Sequence, residues 1–165
     1  MFDQILSDFT QSFSVVPAGA AFARLVAAMV LAGLIGVERE RRHQPAGLRT
    51  HILVSVAACL FVILGQELAA LDFGGMGEQR TDPLRMIGAV TQGVAFLAAG
   101  IIITAGGEVK NITTGASLWL AGAVGLGCGA GQLALAAMAT AIVLVVLILL
   151  RALEARLWPR PGHDD

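Results

Sequence analysis

Charge is the scarcest ingredient of this sequence: 14% of its 165 residues are Asp, Glu, Lys or Arg, whereas a soluble domain carries about 25%. That leaves too little polar material to cover a water-facing surface. The formal net charge is −1, so no long-range field draws nucleic acid to the chain, and its basic residues have to be read by position. Cysteine is nearly absent. Cys59 and Cys128 have no histidine or second cysteine at a zinc-ligand spacing and read as small buried side chains. A disulfide between them would require their helices to meet. The three histidines, His43, His51 and His163, are not spaced as ligands of one ion. G-x-S-x-G, P-loop and H-E-x-x-H motifs are missing too, so no enzyme signature is present and no cofactor is expected.

What the chain has instead is long apolar runs, with 56% hydrophobic residues overall. Crossing about 30 Å of hydrocarbon takes about 20 apolar residues. Residues 17–37 meet that length with Arg24 as the single charge, 52–71 are interrupted only by Glu67 near the end, and 86–105 carry no charge. From Ile112 to Leu150 there is again no charge, and one helix over that stretch would be about 58 Å long. Two helices must share it. The break is expected at GLGCGAGQ, Gly125 to Gln132, where repeated glycine lowers helix propensity, giving spans at 112–128 and 132–150.

The expectation is therefore an all-α integral membrane protein, a five-helix transmembrane bundle over residues 17–150. With the N-terminus outside, the inner segments hold Arg39, Arg41, Arg42, Arg49, Lys110, Arg151, Arg156 and Arg160, and the outer loop holds Arg80 and Arg85. The positive-inside rule selects that orientation, with the C-terminus cytoplasmic. Trp158 suits an interfacial aromatic. The first residues, MFDQILSDFTQSF, carry Asp3 and Asp8 and no basic n-region, so no cleavable signal peptide is visible. Residues 1–16 place Phe2, Ile5, Leu6, Phe9, Phe13 and Val16 near one helical face, as an interfacial amphipathic segment would; a frayed terminus fits equally. Residues 151–165 form a short tail, too short to bury a core.

Several polar residues stand out against this background. Asp82 before Pro83 fits an N-cap followed by proline at the first helical position. Alternatively, Asp82 and Arg85, with Glu67, Asp72 and Glu78, form an acidic outer mouth for Mg²⁺, which takes oxygen ligands. Arg24 and Glu67 lie inside apolar runs and could neutralise each other or snorkel to the surface. Thr113 and Thr114 after Asn111, with Thr91 and Gln92, serve either as helix–helix contacts or as the lining of a narrow polar path. Small residues four apart, Ala32 and Gly36, Gly125 and Gly129, Gly127 and Gly131, allow close backbone approach in a compact bundle or a homodimer, or mark a broken helix lining a polar route.

The stretch VERERRHQPAGLRTH, Val37 to His51, gathers six charges, four of them arginine. Topology accounts for the arginines as an inner loop, but not for Glu38 and Glu40 among them. If the first helix runs past Val37, Glu38 reaches Arg41 and Arg42 at i+3 and i+4. The favoured expectation is instead that Glu38 meets Arg49 across the turn made by Pro45 and Gly47, tying the first two spans together.

The run RLVAAMVLAGLIGVERERRHQPAGLRTHILVSVAACLF, followed by DPLRMIGAVTQGVAFLAAGIIITAGGEVKNITTGASLWLAGAVGLGCGAG, resembles the membrane domain of the MgtC/SapB family of bacterial inner-membrane proteins. The similarity covers nearly everything from Arg24 to Leu150, and G-x-E-R-E, A-G-L-R-T, D-P-x-R and T-T-x-A-S-L-W in that order are its most specific part. The resemblance implies a multi-pass protein of the bacterial inner (plasma) membrane, N-terminus periplasmic, linked to magnesium homeostasis, growth at low magnesium and, in some branches, virulence. Its activity would be either transport of Mg²⁺ or another small ion, or regulation of membrane partners such as the F-type ATP synthase. Carried over by motif, the positions of interest are Gly36, Glu38, Arg39, Glu40, Gly47, Leu48, Arg49, Thr50, Asp82, Arg85, Thr113, Thr114 and Trp119. Two departures stand out. Ala95 to Gly100 read AFLAAG where the family usually has G-F-L-G-A-G, and a soluble C-terminal domain of longer members is not expected here.

Overall fold

A computed structural model describes Met1, residues 13–71, 82–105 and 108–150, and the single positions Leu153 and Leu157. Most of the proposed amphipathic segment, the acidic positions Asp72 and Glu78, and Arg80, Arg151, Arg156, Trp158 and Arg160 lie outside the described residues. Among the described residues, five helices are long and apolar enough to cross a membrane. They are α1 (Ala18–Arg41), α2 (Leu48–Ala69), α3 (Pro83–Ile101), α4 (Ile112–Gly129) and α5 (Leu133–Val145), the last continued by one π-helical turn, Val146–Leu150. Between α3 and α4 lies a short antiparallel pair, β1 (Ile103–Ala105) and β2 (Glu108–Lys110), in the register Ile103↔Lys110, Thr104↔Val109, Ala105↔Glu108. Gly106–Gly107 between two short runs is a hairpin signal that the expectation of a third span reaching residue 105 passed over.

The helix ends follow local chemistry. Asp82 accepts a hydrogen bond from the Leu84 N–H at 2.9 Å, and Pro83 occupies the first position of α3, as an N-cap should. α1 runs four residues beyond its apolar stretch and stops in a Schellman motif. His43 takes a left-handed φ of 54°, its N–H donates to Glu40 O, and the Gln44 N–H donates to Arg39 O. The same motif ends α4: Gly131 has φ 78°, its N–H donates to Cys128 O, and the Gln132 N–H donates to Gly127 O. Glycine adopts that backbone without steric cost, so the chain breaks inside the expected stretch.

α4 is the hub and touches each of the other four helices. Small residues make that position available to it. A Cβ on Gly125 would strike the backbone carbonyl of Ser55, and one on Gly129 would lie 2.6 Å from Cys59 O, so α2 and α4 approach almost backbone to backbone. Lipid supplies no hydrophobic drive for helix association, and such closeness gains dispersion contacts instead. The Gly125–Gly129 face is thus consumed inside the chain. Where the family's second glycine of G-F-L-G-A-G is replaced by Ala98, the facing Gly115 provides the clearance. The interior is packed by Ile35 from α1, Cys59 and Ile63 from α2, Val124 and Cys128 from α4, and Ala136 from α5. α3 is the least embedded of the first four, with only Val94 and Ala98 buried.

Candidate functional site: a buried polar cluster at the arginine-rich end

The last turn of α1, the first turn of α2 and the first turns of α4 converge at the end of the bundle that carries the 42–47 loop. Gly36 is what lets α2 start there, since a Cβ at that position would lie 2.7 Å from Leu48 Cα and 3.2 Å from His51 Cβ. Below it, Glu38 and Arg39 are both buried, at 8% and 3% exposure. Arg39 donates from Nε to Glu38 Oε2 at 2.6 Å, and its Nη2 stands 2.5 Å from the same oxygen. Arg42 Nε lies 3.4 Å from the other oxygen, Oε1. One carboxylate therefore holds two arginines of its own helix. The expected Glu38–Arg49 pair does not form: Arg49 is exposed on α2, and Glu38 is turned into the bundle, where Arg39 and Arg42 reach it first.

A clasp between the first two spans exists nonetheless, made by the other glutamate. Glu40 Oε2 accepts from the Leu48 N–H at 2.9 Å, so a carboxylate eight residues upstream satisfies the first N–H of α2 at the positive end of its dipole. Gly47 leaves room for this contact, because a Cβ there would overlap the Glu40 carboxylate and push it off the Leu48 N–H.

Above this pair sits His51, fully buried. Its Nδ1 lies 2.8 Å from Gly47 O and its Nε2 3.1 Å from Ser117 Oγ on α4. A carbonyl oxygen can only accept, so Nδ1 carries a proton. Ser117 Oγ also lies 2.9 Å from Thr114 O, and its single proton serves either that carbonyl or Nε2. Thr114 in turn donates to Gln44 Oε1 at 2.8 Å. The loop, α2 and α4 are thereby linked in one network. Among the described residues, two buried oxygens, Glu38 Oε1 and Ser55 Oγ, have no hydrogen-bond partner. His51, Ser117 and Gln44 were not among the positions expected from sequence. Ser117 was legible, since Thr114 and Ser117 share a helical face at i,i+3 inside the motif; a histidine opening an apolar span was the only hint of His51.

The other expected positions are scattered. Thr50 is half-buried, while Thr113 and Trp119 are exposed. Thr91 donates to the carbonyls of Ile87 and Gly88 in its own helix, and Gln92 is exposed on α3. Arg24 and Glu67 do not pair. Arg24 donates to Gly129 O at 2.8 Å, at the negative end of α4, and to Gln66 Oε1 at 3.2 Å. Glu67 accepts the successive N–H groups of Ser14, Val15 and Val16, and each charge is thus satisfied by backbone before it needs the other. Asp82 is occupied with its cap and Arg85 is exposed. Among the described residues no three His, Cys, Asp or Glu side chains gather to hold a metal ion.

The fold and this cluster define a multi-pass membrane protein whose buried polar groups sit at one end of a small helical bundle. The chain belongs to the MgtC family, whose profile matches residues 25–156. Over 104 residues, 63% of this chain and 40% of the relative, it is 41% identical to Protein MgtC of Brucella abortus (strain 2308). Over 107 residues, 62% of this chain and 47% of the relative, it is 36% identical to YhiD of Escherichia coli (strain K12), whose name proposes magnesium transport. The matched region thus spans less than half the length of either relative. No solved structure matches the chain.

Proposed function

We propose that the chain acts as a non-enzymatic regulator in the bacterial inner membrane, serving magnesium homeostasis and adaptation to low magnesium by binding membrane partners such as the F-type ATP synthase. The observation that carries this reading is the apolar stretch between its two polar ends. From His51 to Gln66, α2 advances fifteen residues, roughly 22 Å at 1.5 Å per residue. Over that distance Cys59, Ile63, Leu118, Val124 and Cys128 fill the interior, each at 6% exposure or less. Among the described residues, the side-chain oxygens a dehydrated ion would meet there are the Ser55 hydroxyl and the Thr140 hydroxyl, which already donates to Ala136 O. Arg41, Arg42 and Arg49 are exposed at the end of the bundle, which the positive-inside rule assigns to the cytoplasm, and they offer a basic surface to an acidic partner.

The second reading is a channel or transporter for Mg²⁺ or another small ion, favoured by the name of the Escherichia coli relative. Purified protein in liposomes carrying a fluorescent Mg²⁺ indicator separates the two. The regulator reading expects uptake no faster than in protein-free vesicles, together with co-purification of the ATP synthase from native membranes that weakens when Arg41 and Arg49 are changed to Glu. Mg²⁺ uptake proportional to protein would establish the transport reading.

A further inference from the structure

α3 carries a polar group that its own bundle does not use. Gln92 lies ten residues into a 19-residue spanning helix, at mid-membrane depth, and is exposed. No hydrogen bond from its amide is found among the described residues. The side of α3 that faces the bundle is elsewhere: Val94 and Ala98 are buried, and Val90 and Ile101 pack with them against Val54 of α2 and Leu118 of α4. Gln92 is two residues from Val94, a turn of about 200° at 3.6 residues per helical turn, so it points away from that contact and into lipid. Hydrocarbon offers an amide nothing to bond.

The residues around Gln92 form a seam. Gly88, Gln92, Ala95 and Ala99 follow one another at steps of four, three and four, the spacing of a helix–helix interface. All are small except the glutamine, and a Cβ on Gly88 would meet nothing within 4 Å. α5 also faces lipid, but with apolar side chains that need no partner.

We infer that this face of α3 packs against the same face of a second copy of the chain, with the two Gln92 amides bonded to each other at the centre. An amide both donates and accepts, so glutamine is complementary to itself. Two copies inserted in the same direction and related by a two-fold axis along the membrane normal bring identical residues to the same depth. The seam is uncharged through the hydrocarbon. Arg85, seven residues toward the helix start, is exposed, as is Asp82 three residues before it, so that end of the seam carries charges of both signs. This dimer uses none of the glycine faces that α4 spends inside the bundle.

Variants with one added cysteine, in native membranes, test the assignment. Cys59 and Cys128 are both buried and can remain, with unmodified protein as the background. Copper-phenanthroline oxidation should cross-link Gln92→Cys, Ala95→Cys and Ala99→Cys as dimers of this chain, well above Leu97→Cys, which lines the groove beside α2. In a reversible association assay in lipid, Gln92→Leu should weaken dimerisation roughly three- to twenty-fold, the span measured for interhelical polar contacts, and Gln92→Asn should weaken it less. The proposal is overturned if all four cysteine variants stay monomeric, if cross-linking peaks at Leu97, if the cross-linked product contains a different protein, or if Gln92→Leu, still folded, dimerises as well as the parent.

Discussion

Gly125→Val should destabilise the bundle by about 3 kcal/mol or more, the upper end of the overpacking range. The obstacle is backbone: a Cβ at this position runs into the Ser55 carbonyl and lies 2.9 Å from Ala58 Cβ, and neither can rotate out of the way as a long side chain would. α2 and α4 would have to separate, loosening the contact on which α1 and α3 also depend. Gly127→Ala supplies the control, two residues away in the same helix. Its Cβ would meet Ala136 Cβ at 3.4 Å, an ordinary contact, and replacing helical glycine by alanine gains up to about 1 kcal/mol in propensity. Thermal unfolding in detergent or reversible unfolding in SDS should therefore show a large loss for the first and no loss for the second. Equal stability of Gly125→Val and the parent would mean that α2 and α4 do not meet as described.

Arg39→Met should cost about 3–5 kcal/mol, the range for breaking a buried ion pair by removing one partner. Methionine keeps much of the length and apolar bulk of the arginine stem, so the loss falls on the charge. What remains is a buried Glu38 carboxylate with only the more distant Arg42 nearby. The double variant Glu38→Gln, Arg39→Met should recover most of the loss, since a well-packed neutral pair avoids the desolvation that a buried ion pair suffers. Arg49→Ala, at an exposed position, should fall within about 0.5 kcal/mol of the parent. A large effect there with a small one at Arg39 would restore the pairing across the turn that the sequence suggested.

That exchange of partners shows where sequence reading stops. The five spans and the break near Gly131 were legible because long apolar runs, and a glycine that can take positive φ, are local properties. Of the readings left open for small residues four apart, the structure realises the compact bundle at Gly125 and Gly129, where α4 meets α2. Which glutamate would clasp the two spans was not legible. Glu38 and Glu40 are two residues apart, about 200° around the helix, and only the three-dimensional position of α2 decides which one faces inward and which one meets Leu48. The separation of Arg24 from Glu67 was hidden for a similar reason: their partners are backbone groups of α4 and of residues 14–16, which no side-chain pattern announces. His51 escaped because a lone histidine gives no periodic signal, and its meaning depends on Ser117, sixty-six positions away.

The polar cluster ends in a sealed apolar interior, and the protein's own cysteines report on that most directly. Cys59 lies midway along the seal and Cys128 toward its Arg24 end, next to Gly129, both at 0% exposure. A charged, water-soluble methanethiosulfonate reagent, applied to both sides of liposomes holding the folded protein, should modify neither thiol over a time that fully labels both after unfolding in SDS, as read by intact-protein mass spectrometry. Labelling of either cysteine in the folded protein would mean that water reaches the core and would contradict the account.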